Sequence, residues 1–276
     1  MKSITLIVVD GMRPDGLLKA NAPTMKHLLA TSAYSLQART VLPSKTLPCI
    51  TSLMLGVAPQ MHGTLTNTFA SQHWDAPGLI DLLHTAGYKT ASFTNWEPLR
   101  DVSRPGALDL SICINTAESS LPVGESDTTL TGFAINALVQ HPVDFTFLYL
   151  GCVDTAGHKY GWMSNAYIRA IEKADSCIGH LCEVLSEDTA IFITADHGGI
   201  GYTHGNESDA EMTIPFIAHS AGLAPGEIDG PVNLLDIAPT IAACAGLAAP
   251  SVWQGKSLLP IQISRKKHAY ALPLER

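Results

Sequence analysis

The chain has 276 residues, 46% of them apolar and 15% charged, with a formal net charge of −8. That composition excludes a disordered polymer, and the single short basic run, Arg265-Lys266-Lys267, excludes a surface built for duplex nucleic acid. No apolar run reaches the length of a membrane span, and the run 4–9 is too short for a signal peptide, so a cytoplasmic protein with no membrane partner is expected. Six cysteines without a Cys-x-x-Cys pair read as free thiols.

In chain order, Ile4-Thr5-Leu6-Ile7-Val8-Val9 predicts a buried strand over 3–9, followed by a Gly-Met-Arg-Pro-Asp-Gly loop. A helix over 24–30 starts after Pro23, and a strand over 34–41 ends at Leu42-Pro43. A helix opens near Thr46 and stops at Gly56. The amphipathic stretch 77–86 is helical, and 89–94 is the next strand. Residues 97–126 carry Pro105, Gly106, Pro122 and Gly124 without a period, and are expected to form a small insertion or lid. Beyond them come a helix at 128–140, a strand at 144–150 and a long helix at 165–185. Strands at 189–195 and 214–219 follow, then a helix over 234–245 that Pro239 kinks or delays. This alternation predicts an α/β fold, a doubly wound, mostly parallel central sheet flanked by helices, in one domain over 1–276.

Several Asp and His residues stand just after the apolar runs. Asp10 follows the first, Asp154 and His158 follow Phe145–Leu150, and Asp196 and His197 follow 190–195, with His204 close behind. Open α/β sheets bind ligands beyond the carboxyl ends of their strands, so these side chains are expected on one rim, enough for two divalent cations. Asp154 and His158 share a face if their segment turns helically. A mixed carboxylate and imidazole set suits Zn2+ first, with Mn2+ or Fe as alternatives. Taken singly, each Asp-Gly or Asp-His-Gly is an ordinary turn or cap.

The segment Leu42-Pro43-Ser44-Lys45-Thr46-Leu47-Pro48-Cys49 puts a hydroxyl at a helix start. Plain N-capping is the structural alternative. The unpaired N–H groups and positive dipole end of a helix also favour an alkoxide and a bound phosphoryl oxygen. Thr46 is the preferred nucleophile, because Pro48 then falls in the first turn, and Ser44 is its competitor. Trp96, Tyr160 and Trp162 stand near active-face loops, where an aromatic ring can stack on a planar group or simply pack. The pair His62-Gly63 reads as a structural turn, and His27, His73, His84, His141, His180, His219 and His268 lack ligand spacing.

Taken together, Val9-Asp10-Gly11-Met12-Arg13-Pro14-Asp15, Pro43 through Pro48, Leu55-Gly56 through His62-Gly63, Asn67 and Phe69 form an ordered set. Asp154-x-x-x-His158, Asp196-His197-Gly198 and His204-Gly205 continue it. The set resembles the nucleotide pyrophosphatase/phosphodiesterase branch of the alkaline phosphatase superfamily, over about residues 4–260. The resemblance implies two zinc ions, one on Asp154, His158 and His204, the other on Asp10, Asp196, His197 and the Thr46 hydroxyl. It implies in-line attack by Thr46 on phosphorus, giving a phospho-threonine that is then hydrolysed. The implied substrate is a small-molecule phosphate ester or nucleotide. Candidate substrate contacts are Lys45 and Leu47 beside Thr46, Asn67 beyond it, and Arg13 just after Asp10. The family usually carries Asn three residues after the Thr, a position held here by the weak donor Cys49, and Lys45 or Asn67 are the candidates to compensate.

Other activities share this metal chemistry: phosphomonoesterase, phosphonate hydrolase and sulfatase. A formylglycine sulfatase needs Cys or Ser in a Cys/Ser-x-Pro-x-Arg context, and Thr46-Leu47-Pro48-Cys49-Ile50 lacks both the residue and the Arg. A phosphate-shuffling mutase would carry Ser and a large second domain, for which the chain has little room. A non-catalytic binding protein on the same fold is the reading from another class.

Overall fold

A computed structural model of the chain describes residues 3–69, 77–114, 124–220 and 223–261. Its first half runs β1 (Ile4–Val9), α1 (Pro14–Lys19), α2 (Pro23–Thr31), β2 (Ala33–Arg39), α3 (Thr46–Leu55), α4 (Pro59–His62), α5 (Leu79–Thr85) and β3 (Thr90–Thr94). A 3-10 turn (Glu97–Asp101) leads to β4 (Leu110–Cys113), α6 (Glu125–Gln140), β5 (Phe145–Leu150), α7 (Cys152–Tyr160) and α8 (Asn165–Cys182). The remainder is β6 (Ala190–Thr194), α9 (Asp209–Met212), β7 (Thr213–His219), β8 (Gly226–Glu227), a second 3-10 turn (Leu234–Asp236) and α10 (Ile237–Cys244).

The strands form one sheet in the order β4-β3-β5-β1-β6-β7-β2-β8. It is mostly parallel, and β7 is the reversed strand, antiparallel to both β6 and β2. Strands β1, β3, β5 and β6 are buried along their full length, which explains why β1, β5 and β6 read as near-continuous apolar runs; β3, Thr90-Ala91-Ser92-Phe93-Thr94, alternates although it too is buried. One helical layer is organised on α8, against which α1, α2, α6 and α7 pack, and the other groups α3, α5 and α10. No helix among the described residues is long and apolar enough to cross a membrane.

The loop after β1 and the 97–126 segment differ from the sequence expectation. The loop after β1 contains a short helix, α1, because Pro14 at its first position and Asp15 in its first turn favour an N-terminus there. Within 97–126, residues 97–113 hold a 3-10 turn and β4, an edge strand pairing in parallel with β3. Its four residues alternate in exposure, a pattern too short to register as a strand in sequence. Residues 115–123, the rest of the expected lid before α6 begins, lie outside the described residues, as do His73, His268 and the Arg265-Lys266-Lys267 triplet. The late start anticipated from Pro239 is present: α10 begins at Ile237, so Pro239 sits in the first turn, where no intrahelical N–H bond is lost. All six cysteines are free, with Cys49, Cys152 and Cys177 buried and Cys113 exposed.

The strand register positions the site. Val9 pairs with Leu150, and Val8 with Thr194, so β1, β5 and β6 end level with one another. Asp10 follows directly on β1, Asp154 lies in the first turn of α7 just after β5, and Asp196 follows β6 closely.

Candidate active site

Two ligand groups form at this rim: Asp154, His158 and His204, and Asp10, Asp196 and His197. In each, the candidate ligand atoms lie within 4.8 Å of one another. Asp154 and His158 are one turn apart on α7, and their side chains meet at 3.4 Å. The sequence left this segment as a loop that turns helically on condition; it is helical. His204 Nε2 stands 3.6 Å from Asp154 Oδ1 and 3.1 Å from His158 Nε2. In the second group His197 Nε2 lies 3.3 Å from Asp10 Oδ1 and 3.4 Å from Asp196 Oδ2. The rings of His197 and His204 stack at 3.8 Å between centroids, joining the two groups.

Hydrogen bonds around the groups fix which atoms face inward. Nδ1 of His158, His204 and His197 meets the carbonyls of Tyr202, Ser44 and Gly198 at 2.9, 2.8 and 2.8 Å. A carbonyl only accepts, so each Nδ1 carries the proton and each Nε2 presents a lone pair to the site. The Tyr149 hydroxyl donates to Asp10 Oδ2, and the Gly11 N–H donates to Asp196 Oδ1 at 3.2 Å. Gly11 has φ +69° and lies so close to α7 that a Cβ would press on Asp154 at 3.1 Å, so both conformation and space call for glycine.

The opposite carboxylate atoms, Asp10 Oδ1, Asp154 Oδ1 and Asp196 Oδ2, are buried without a hydrogen-bond partner. Buried orphan acceptors of this kind are costly, and here three converge beside imidazole lone pairs that face each other. Burial, then the charges of Asp196 and Asp154, push Asp10 well above the ordinary carboxylate range; burial raises Asp154 as well. Burial and the neighbouring His197 push His204 down to about 3. A set of acceptors with no proton to share fits divalent cations, and the mixed oxygen and nitrogen donors suit zinc.

Thr46 is the first residue of α3, and Lys45, not Thr46, is the N-cap. Its hydroxyl therefore does not cap the helix; it meets His197 Nε2 at 3.1 Å. Ser44 is engaged elsewhere: its Oγ donates to Asn206 O at 2.6 Å and accepts from Gly205 N, pinning the loop that carries His204. Thr46 lines a cleft of about 240 Å³ with Asp10, Asp154, His158 and His204.

The expected substrate contacts divide. Asn67 lines the cleft, and its Oδ1 accepts the Leu47 N–H at 3.0 Å, so Leu47 takes part through its backbone. Lys45 is absent from the cleft lining, and its stem lies along Gly205. Arg13 is turned away: it grips Asp15 through two bonds, donates to Gly199 O at 3.0 Å, and lines a separate cavity of about 370 Å³ with Tyr34 and Glu227. Its short side-chain partner two residues on captures the guanidinium before it can reach the rim. The Cys49 thiol points under α3 toward Thr40 Oγ1 at 3.3 Å, and burial pushes it up, so it donates nothing to the cleft.

Sequence reasoning missed most of the far wall of the cleft, formed by Asn95, Ser126, Gly151 and Thr155; Trp96, expected near an active-face loop, stands among them. Asn95 directly follows β3, so the strand-end rule that found Asp10 also reaches it. Behind this wall, Asp127 accepts Asn95 Nδ2 at 2.6 Å and the Cys152 N–H at 3.3 Å, while Asn95 Oδ1 accepts Gly151 N at 3.0 Å. The pair clamps the turn from β5 into α7 and so holds Asp154. Burial pushes Asp127 up to about 6. His62 bonds Ser52 Oγ and accepts the Thr64 N–H, a turn role.

A family model described as type I phosphodiesterase / nucleotide pyrophosphatase matches residues 4–210, a span containing every residue of both ligand groups and Thr46. A 2,3-bisphosphoglycerate-independent phosphoglycerate mutase from Clostridium perfringens is 34% identical over 137 residues, 47% of this chain and 26% of the mutase. The chain thus spans about a quarter of the length of the curated relatives it matches. Murine ectonucleotide pyrophosphatase / phosphodiesterase 5 superposes with a TM-score of 0.75 at 16% identity, over 90% of this chain and 96% of that one. A phosphonate monoester hydrolase from Silicibacter pomeroyi gives 0.72 at 17% identity, over 94% of this chain and 76% of that one. These likenesses show the alkaline phosphatase-like fold, and with the matched model they establish that the chain belongs to the type I phosphodiesterase / nucleotide pyrophosphatase family, whose enzymes hydrolyse phosphate esters.

Proposed function

We propose that this chain is a two-cation phosphodiesterase acting on a small phosphate diester or nucleotide, with Thr46 as nucleophile, in one hydrolase domain. The observation that carries this reading is the Thr46 hydroxyl, 3.1 Å from His197 Nε2 and beside both ligand groups. Asp154, His158 and His204 would hold one zinc, and Asp10, Asp196 and His197 the other, with Thr46 beside it. Bound there, the cations would neutralise phosphate charge and lower the pKa of the attacking hydroxyl.

The protein's own residues supply the rest. The N-terminus of α3 brings its dipole to the phosphoryl position, with the Thr46 N–H as the donor left there, because the Leu47 N–H goes to Asn67 and Pro48 has none. The Leu47 N–H engages Asn67 Oδ1, which orients that carboxamide so that its NH2 serves as the donor to a phosphoryl oxygen. Attack by Thr46 Oγ1 on phosphorus forms a Thr–O–P ester as the bond to the leaving alcohol breaks. Water then cleaves that ester and releases the phosphate monoester. A cleft of about 240 Å³ suits a small ester. An inactive form of the murine relative has been solved in complex with AMP, which supports a nucleotide as the first substrate to test.

The test compares bis(p-nitrophenyl) phosphate with p-nitrophenyl phosphate, with and without chelator, in the wild type, Thr46→Ala and Ser44→Ala. Chelator-sensitive turnover with the diester preferred is expected, lost in Thr46→Ala and kept in Ser44→Ala. Full activity in Thr46→Ala overturns the assignment. A preference for the monoester moves the chain to a phosphomonoesterase.

A further inference from the structure

Trp162 has no place in the reaction above. It is 7% exposed and does not line the cleft, yet its contacts are with segments that carry candidate ligands. The indole stands edge-on to His158, with centroids 5.1 Å apart at 83°, and to His204 at 5.9 Å and 60°. Its Nε1–H donates to Gly11 O at 3.0 Å, one residue from Asp10. Its backbone N–H donates to Gly201 O at 2.8 Å, which ties it to the hairpin before His204.

The ring also explains two glycines. A Cβ at Gly157, beside His158, would sit 2.6 Å from the indole, and one at Gly199, in the loop after His197, would overlap it. The indole therefore fills the space between α7 and the 196–204 segment, with the backbone of Gly157 and Gly199 pressed against it. An ordinary core filler touches aliphatic neighbours; this ring touches two imidazoles and the chain beside four ligands.

We propose that Trp162 is a positioning residue: its ring sets the separation between α7 and the 196–204 segment, so that the Nε2 lone pairs of His158 and His204 converge on one cation. This inference rests on the two-cation reading. Removing the ring leaves α7 and the hairpin before His204 free to shift, and the first ligand group, which spans that gap, loses its focus more than the second, whose residues follow β1 and β6.

The test titrates zinc against a chromogenic chelator into metal-free wild type, Trp162→Ala and Trp162→Phe, all in a background carrying Trp74→Phe and Trp96→Phe, with circular dichroism to check folding. The parent should take up two equivalents. Trp162→Ala should weaken one of them about 10- to 100-fold and the other by clearly less, as expected for loss of a group that orients ligands. Trp162→Phe keeps a flat ring between the glycines and should recover most of that loss. It should also lack the change in indole emission that zinc produces in the parent. If Trp162→Ala does not fold, the emission comparison with Trp162→Phe still decides. Both variants binding two equivalents as tightly as the parent, or Trp162→Phe keeping the emission change, overturns the proposal alone. A parent that takes up no zinc defeats the two-cation reading and this inference with it.

Discussion

Replacing Asp127 by Asn probes the clamp behind the cleft through its titration. The Asp127 carboxyl is fully buried, and burial outweighs its hydrogen bonds, pushing it from an ordinary 3.8 up to about 6. Between those values the folded protein keeps a proton that the unfolded chain has released. Stability from this group therefore falls as pH rises through that window and levels off above about 6. The gap corresponds to roughly 3 kcal/mol. Asn does not titrate, and its NH2 faces one of the donors on Asn95 or Cys152, a cost of about 1–3 kcal/mol that does not vary with pH. Urea unfolding with chelator present, followed by circular dichroism from pH 4 to 7, measures both proteins. The stability of the wild type minus that of Asp127→Asn should drop by roughly 3 kcal/mol across the range. Taking this difference cancels the titration of Asp10 and Asp154, which both proteins share. A flat difference would refute the argument that burial dominates at Asp127.

Further outcomes follow from the same geometry. Asn67→Ala should lower kcat for the diester about 10²- to 10³-fold with KM little changed, the loss expected for one phosphoryl-oxygen donor, measured by steady-state kinetics. Gly56→Ala forces a side chain into a φ of +61° with its Cβ 2.9 Å from Trp253, and should destabilise the fold by more than about 1 kcal/mol in urea unfolding. Arg13→Ala should leave KM for the diester unchanged, because its guanidinium is committed to Asp15 and Gly199; a raised KM would return Arg13 to the substrate.

Much of the site was legible because the sheet is parallel at its centre. The central strands β1, β5 and β6 write themselves as near-continuous apolar runs, and the polar residues that follow stand at the rim. That logic places Asp10, Asp154 and Asp196 without knowledge of strand order. Asn95 obeys it too, and was passed over because an amide carries no ligand signal. Arg13 was misplaced because proximity in sequence to Asp10 says nothing of direction, and Asp15 decides the direction. The alternation of β4 spans too few residues to stand out. Asp127, and the part that Trp162 plays beyond standing near an active-face loop, were beyond reach for a different reason: their partners lie on other elements, and their roles exist only once α6, α7 and the 196–204 segment have packed.

The level ends of β1, β5 and β6 tie the candidate ligands to the order in which the polypeptide is made. Residue 10 emerges first and residue 204 last, and β6 joins the sheet against the first strand synthesised. Until His204 has cleared the ribosome, a nascent chain holds five of the six candidate ligands, so the first group alone is incomplete. The full ligand complement is thus present before β7 and β8 are made, and a cation added early has only the amino-terminal carboxylate and hydroxyl to meet.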